Sequence, residues 1–225
     1  MSRSFVLAAA GAFALLLGAG AGARGQQAGP PQATTQQATT PLTPGRVIDP
    51  SVWRIDKSHS DLTFQIRHFV GRVRGTFKEW SGTISAEDPA RWETASVDVV
   101  IQTASIFTDH DKRDADLRTG EFFAADSFPV IRFRSTRIER AGDDAKIHGD
   151  LTIRGVTRPV VLEGRFLGHS RAASGIERVG FEASTTINRL DYGVKWNRLV
   201  EGAGMTLGDD VKIDITIQAS RRPPR

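Results

Sequence analysis

No cysteine occurs in the 225 residues. Disulfides, thiolate metal sites, a cysteine nucleophile and lipid attachment through an N-terminal cysteine are therefore excluded. Long apolar runs are missing as well. The strongest, Phe5–Leu17, is shorter than the ~20 residues a bilayer span needs, and glycines interrupt its end. Charge of one sign is also lacking. Residues 52–220 carry 24 basic and 25 acidic side chains, and the surplus of Lys and Arg lies in the tails. Such a neutral body has no electrostatic footprint for nucleic acid, so no nucleic-acid partner is expected. Catalytic signatures are absent too, with no G-x-S-x-G, no P-loop and no G-x-G-x-x-G leading into a helix. In Asp109-His110-Asp111 the three side chains are sequence neighbours and do not share a helix face, and no second histidine lies at ligand spacing. We expect no enzyme, no metal and no cofactor.

What is present begins with a leader. One arginine precedes the apolar run, and Ala21-Gly22-Ala23 fits the small-x-small pattern read by signal peptidase. Residues 1–23 read as a signal peptide, which implies a periplasmic or secreted protein with no stable membrane span after cleavage. Residues 24–50, rich in Gln, Thr, Pro, Ala and Gly, read as a disordered linker because they bury too little apolar surface to offset their ordering entropy. Residues 51–220 form one domain, and 221–225, with Pro223 and Pro224, read as a flexible tail.

Within the domain the dominant signal has period two. Leu62, Phe64 and Ile66 alternate with polar neighbours, as do Val97, Val99 and Ile101; Ile131 and Phe133; Ile147, Leu151 and Ile153; Val160, Leu162 and Phe166; Val179, Phe181, Ala183 and Ile187; and Val211, Ile213, Ile215 and Ile217. Each set is one apolar and one wetted face of a half-buried antiparallel strand. Shorter candidates lie at 52–55 and 73–84. Turn signals fall at Asp88-Pro89, Gly142-Asp143, Gly155, Ser174-Gly175 and Gly208-Asp209-Asp210. One stretch resists the pattern: residues 108–118 read as a short helix with Thr108 as its N-cap and acidic residues in its first turn. The fold class is all-β. Mostly short connections and long Phe-bearing apolar faces favour an eight-stranded antiparallel barrel over a sandwich, a size that admits either a packed core or one slender ligand.

Five blocks then resemble the YceI-like family of polyisoprenoid-binding proteins. They are His59-Ser60-Asp61-Leu62-Thr63-Phe64-Gln65-Ile66-Arg67-His68 with Val73-Arg74-Gly75-Thr76-Phe77; Arg113 to Arg118 with Glu121 to Phe133; Gly149 to Pro159; Ile187 to Val194; and Leu207-Gly208-Asp209-Asp210-Val211. The resemblance runs from about Trp53 to Ala219 in order. One departure is Phe69-Val70-Gly71, which bears on the pocket mouth. The resemblance implies a lipocalin-like barrel holding a long isoprenoid, polyprenyl or quinone in type, without catalytic residues.

On that basis the lipid-contact candidates are Phe64, Ile66, His68, Val99, Ile101, Phe122, Phe123, Ile131, Phe133, Leu151, Ile153, Leu162, Phe181, Ile187, Ile213 and Ile215. Phe122 and Phe123 cannot both follow one strand face, so they either plug the barrel end or meet the ligand tail. Arg67, Arg118, Arg154, Arg158, Asn188 and Arg189 are head-group candidates, since the planar arginine fork suits phosphate. Two alternatives stay open: a filled barrel serving as a structural or stress-response module, and an enzyme acting on a small lipid. A homodimer is compatible with the sequence.

Overall fold

The computed structural model describes residue 49 and residues 51–88, 90–200 and 204–222. The signal-peptide and linker expectations lie outside the described residues. Among those described, no helix is long and apolar enough to cross a membrane.

Alternating inward and outward side chains make a sheet one-sided, and the chain closes that sheet on itself. Its strands are β1 (Val52–Ile55), β2 (Asp61–His68), β3 (Gly71–Phe77), β4 (Trp80–Ser85), β5 (Ser96–Gln102), β6 (Ile106–Phe107), β7 (Val130–Ala141), β8 (Asp144–Ile153), β9 (Val156–Arg171), β10 (Glu177–Asn188), β11 (Leu199–Val200), β12 (Gly204–Met205) and β13 (Leu207–Arg221), with helix α1 (Asp111–Arg118) between β6 and β7. Three staves of the barrel are interrupted. β1 and β2 lie end to end along β13, with Arg54 opposite Ser220 and Leu62 opposite Ile215. β3 and β4 run along them, with Gly75 opposite Phe64 and Ile84 opposite Trp53. β5 and β6 form the third broken stave. With β7, β8, β9, β10 and β13 this gives an eight-stave antiparallel meander, closed where the first stave meets the last. The small β11–β12 ribbon stands outside it.

Four details differ from the sequence expectation. The 73–84 strand breaks into β3 and β4. Gly208-Asp209-Asp210 is not a turn: β13 already runs there, and its pairing with β2 slips between Leu207 and Val211. A slip of this kind is how a strand absorbs extra residues without leaving its ladder. The N-cap of α1 is His110, whose Nδ1 accepts from the Arg113 N–H at 3.3 Å. Thr108 lies two residues before that cap, and its hydroxyl donates to the buried Asp114 carboxylate at 2.5 Å while accepting from Arg113 Nε at 2.7 Å. The last strand runs through Arg221, one residue into the expected tail. Arg221 donates to Glu177 at 2.7 Å and stacks over the Trp53 ring at 4.3 Å, which pins the strand end.

The ends of the barrel are distinct. Connections 69–70, 108–129 and 154–155 and residues 189–200 and 204–206 gather at one end, with α1. The 154–155 turn joins β8 to β9 with positive φ at both Arg154 and Gly155, the backbone a two-residue hairpin requires. The other end holds residues 86–88, 90–95, 142–143 and 172–176. Trp53, Ile84, Trp92, Val179 and Ala219 pack together there. Gly149 sits in the wall between these ends. A Cβ on it would meet the Phe133 ring at 2.5 Å and the Arg134 carbonyl at 2.6 Å. Gly149→Ala should therefore cost about 1–3 kcal/mol in urea unfolding, because backbone must move to admit one methyl.

Candidate functional site

The inward faces do not fill the barrel. They surround a cavity of about 770 Å³, within the range of small-molecule sites. That volume disfavours the filled-core alternative. All sixteen residues expected to face a lipid line this cavity. Phe64 and Ile66 reach it from β2, Ile213 and Ile215 from β13, and Ile131 and Phe133 from β7. Period-two geometry explains the convergence, since every second side chain of a closed sheet points inward.

At the α1 end the wall comes from connections rather than strands. Phe123 packs edge-on against Phe77 with centroids 6.1 Å apart, and Phe122 packs on Trp196 at 5.0 Å. Both phenylalanines line the cavity, so together they form its cover and part of its surface. Helix α1 contributes Arg113, Asp116 and Leu117. It is fastened by a buried knot: Asp114 accepts from the Thr108 amide at 2.9 Å, while Arg113 donates to the Thr108 hydroxyl and carbonyl at 2.7 Å each. His68 lines the rim and stacks edge-on with Phe69 at 4.8 Å.

The head-group candidates fare differently. Arg67, Arg118, Arg154, Arg158 and Asn188 are not part of the cavity wall, and each is occupied with backbone. Arg118 donates to the carbonyls of Ala104 and Ile106, and Arg154 to those of Gly120 and Phe122. Arg158 reaches the Asp191 carbonyl at 3.4 Å and Arg67 that of Phe69 at 3.2 Å. Asn188 accepts from the Leu190 amide at 2.9 Å and so caps the one-turn helix Arg189–Tyr192. Arg189 alone among them lines the cavity. It is 5% exposed and donates to the carbonyls of Gly208 (2.8 Å), Val194 (2.6 Å) and Trp196 (2.8 Å) and to Asp209 (3.1 Å). Burial pushes its pKa down from the ordinary arginine value, and Asp209 pulls the other way. Its fork ties residues 194 and 196 to the start of β13 rather than holding a phosphate.

Sequence reasoning missed Trp80, Trp92, Tyr192 and Trp196, which all line the cavity. Trp92, Tyr192 and Trp196 lie in connections, where no period-two pattern exists. The available signal was the residue type: large aromatics isolated in polar stretches tend to bury. Tyr192 is the chain's one tyrosine and is 2% exposed. Burial, reinforced by nearby Asp191, raises its phenol to about 12. Near-ultraviolet titration should therefore show one phenolate forming near pH 12 in the folded protein and near pH 10 in urea. The folded state holds that proton longer than the unfolded chain does, so stability from this group is complete below pH 10 and is lost as pH rises through 12. A folded midpoint near 10 would contradict the burial of Tyr192.

Among the described residues no cluster of His, Asp or Glu is arranged to hold a metal. A family model, the YceI-like domain, matches residues 53–219. A Pseudomonas syringae pv. tomato relative named UPF0312 protein is 35% identical over 172 residues, which cover 75% of this chain and 85% of the relative. The crystal structure of the Campylobacter jejuni YCEI protein is 31% identical with a TM-score of 0.61, covering 74% of this chain and 95% of that one. A Saccharophagus degradans domain, described as polyisoprenoid binding and implicated in plant cell wall breakdown, shares 17% identity at a TM-score of 0.56, covering 78% of this chain and 100% of that one. At that identity the last likeness speaks to fold.

Proposed function

Since the chain belongs to the YceI-like family, we propose that its barrel binds and shields a long isoprenoid chain, of polyprenyl or quinone type, in the periplasm or outside the cell. The observation that carries this reading is the cavity: about 770 Å³ walled mainly by Phe, Ile, Leu and Val. Water in such a space finds few polar partners, whereas each ligand CH₂ moved into it is worth ~0.8 kcal/mol. Affinity then grows with chain length and depends weakly on fine detail. The ligand chemistry is supported by the description of the Saccharophagus degradans domain as polyisoprenoid binding. Export is supported by the leader-like N-terminus. Binding without catalysis is the reading, because the polar groups at the α1 end are bonded to each other and to backbone. Titration of delipidated protein with prenyl chains of increasing length tests it. Affinity should climb with each added isoprene until the cavity is full and then level off. Length-independent affinity, or none at all, would overturn the proposal.

A further inference from the structure

Of the eight large apolar side chains exposed among the described residues, six lie at the α1 end: Phe69, Val70, Val130, Leu190, Leu199 and Met205. Four of these form two neighbouring tips. Phe69 and Val70 make the turn between β2 and β3, and Val70 is fully exposed. Leu199 and Met205 are cross-strand partners on the β11–β12 ribbon. The Phe69 amide donates to the Thr206 carbonyl at 2.9 Å, and the Thr206 hydroxyl donates to the Arg198 carbonyl at 2.8 Å, so hydrogen bonds join turn to ribbon. None of the four lines the cavity, yet His68 before the turn and Leu207 after the ribbon both do. The tips therefore border the cavity mouth. Two-residue turns favour Asn and Gly, whereas this one carries Phe and Val, with Phe69 at a φ of 51°. A bulky side chain in left-handed backbone is costly, and so is leaving it in water. Apolar groups displayed together at such a cost mark a surface that something covers.

Charge identifies the cover. Residues 67–74, 193–200 and 204–208 carry five Lys and Arg side chains and no Asp or Glu. Arg67 and Arg72 stand directly opposite each other across β2 and β3. Like charges so placed repel, and neither forms an ion pair: Arg67 donates to the Phe69 carbonyl and Arg72 to Gln65. Of the two aspartates that follow, Asp209 is engaged by Arg189. Protruding apolar tips with cations behind them match an anionic lipid surface, where acyl chains lie beneath a layer of phosphates. A second copy of the chain fits worse, because two such faces would bring their cations together. Resting on the reading that the barrel holds a membrane-soluble isoprenoid, we propose that this face docks on an anionic phospholipid bilayer. Phe69, Val70, Leu199 and Met205 enter the boundary between headgroups and acyl chains, and Arg67, Arg72, Lys195 and Arg198 meet lipid phosphates. The cavity mouth then faces the bilayer, and a prenyl chain passes between membrane and barrel without crossing water.

The chain has no cysteine, so Val70→Cys and Ser174→Cys each create a single labelling site, the second in the 172–176 connection at the opposite end. Each variant of the whole chain carries a polarity-sensitive fluorophore and is mixed with vesicles of phosphatidylcholine, alone or blended with phosphatidylglycerol. The label at position 70 should brighten and shift to the blue with the anionic vesicles, less with the neutral ones, and less again as salt is raised. The label at position 174 should report water throughout. Arg72→Glu combined with Arg198→Glu should weaken the position-70 response to anionic vesicles by roughly tenfold or more. A position-70 label that stays in water, or a position-174 label that enters lipid as readily, would overturn the docking. So would a dimer of vesicle-free protein that Val70→Asp dissolves in light scattering, since the face would then belong to a second copy. Prenyl-chain affinity measured without vesicles is a separate readout. Val70→Asp with Leu199→Asp should leave it unchanged, because neither residue lines the cavity. If prenyl chains bind and the position-70 label stays in water, the docking alone falls. If that label enters lipid and no prenyl chain binds, the lipid-holding reading falls and the docking surface stands.

Discussion

Ala183→Trp is expected to abolish retention of a long apolar chain while the barrel stays folded. Ala183 sits midway along β10, opposite Ile215 on β13 and Gly164 on β9, and lines the cavity. An indole there occupies the space the chain needs. Losing room for four or more methylenes, at ~0.8 kcal/mol each, corresponds to about a hundredfold or greater drop in affinity. Folding should suffer less, because the added ring enters an existing void instead of a packed core, where overpacking costs about 1–3 kcal/mol. Thr186→Trp supplies the control. It lies three residues on, is exposed and stands outside the cavity wall. Binding measured for the pair should separate inside from outside. Equal affinities for the two variants would mean that the ligand does not occupy the barrel.

The second large effect is on stability. Arg189→Met should destabilise the fold by about 3–5 kcal/mol, lowering Tm by on the order of 10 °C. The cost is not a lost surface ion pair. Methionine fills much of the same volume but leaves the carbonyls of Gly208, Val194 and Trp196 and the Asp209 carboxylate without the donors they now have. Arg189→Lys should recover little, since one ammonium cannot reproduce a planar fork reaching four acceptors. Had Arg189 been a head-group ligand, Arg189→Met would weaken phosphate binding and leave Tm nearly unchanged. Thermal unfolding of the delipidated protein distinguishes the two roles.

Much of this molecule is legible in its sequence, for a physical reason. A closed antiparallel sheet repeats every two residues, so Phe64 and Ile66, or Ile213 and Ile215, declare their shared face by spacing alone. The sixteen interior residues followed from that rule and from the family resemblance. The rule carries no information about where a stave breaks. Lys57–His59 interrupts the first stave as a single helical turn capped by Asp56, and nothing in the alternation of its flanks announces it. Arginine was the harder case. Arg118, Arg154 and Arg189 lie in blocks similar to the family's, and their types suit an anion, yet their donors go to main-chain carbonyls. Whether an arginine serves backbone or ligand is decided by three-dimensional proximity that spacing does not encode. Trp92 and Trp196 escaped for a related reason, because they are held by connections whose course depends on the barrel they close.

Native mass spectrometry of the protein, purified from its own host without detergent, tests the central claim most directly. The expected result is a species heavier than the polypeptide, whose extra mass is released by organic solvent and fits an isoprenoid with a repeating five-carbon tail. A mass equal to the polypeptide alone, from protein that also fails to take up an added prenyl chain, would contradict it.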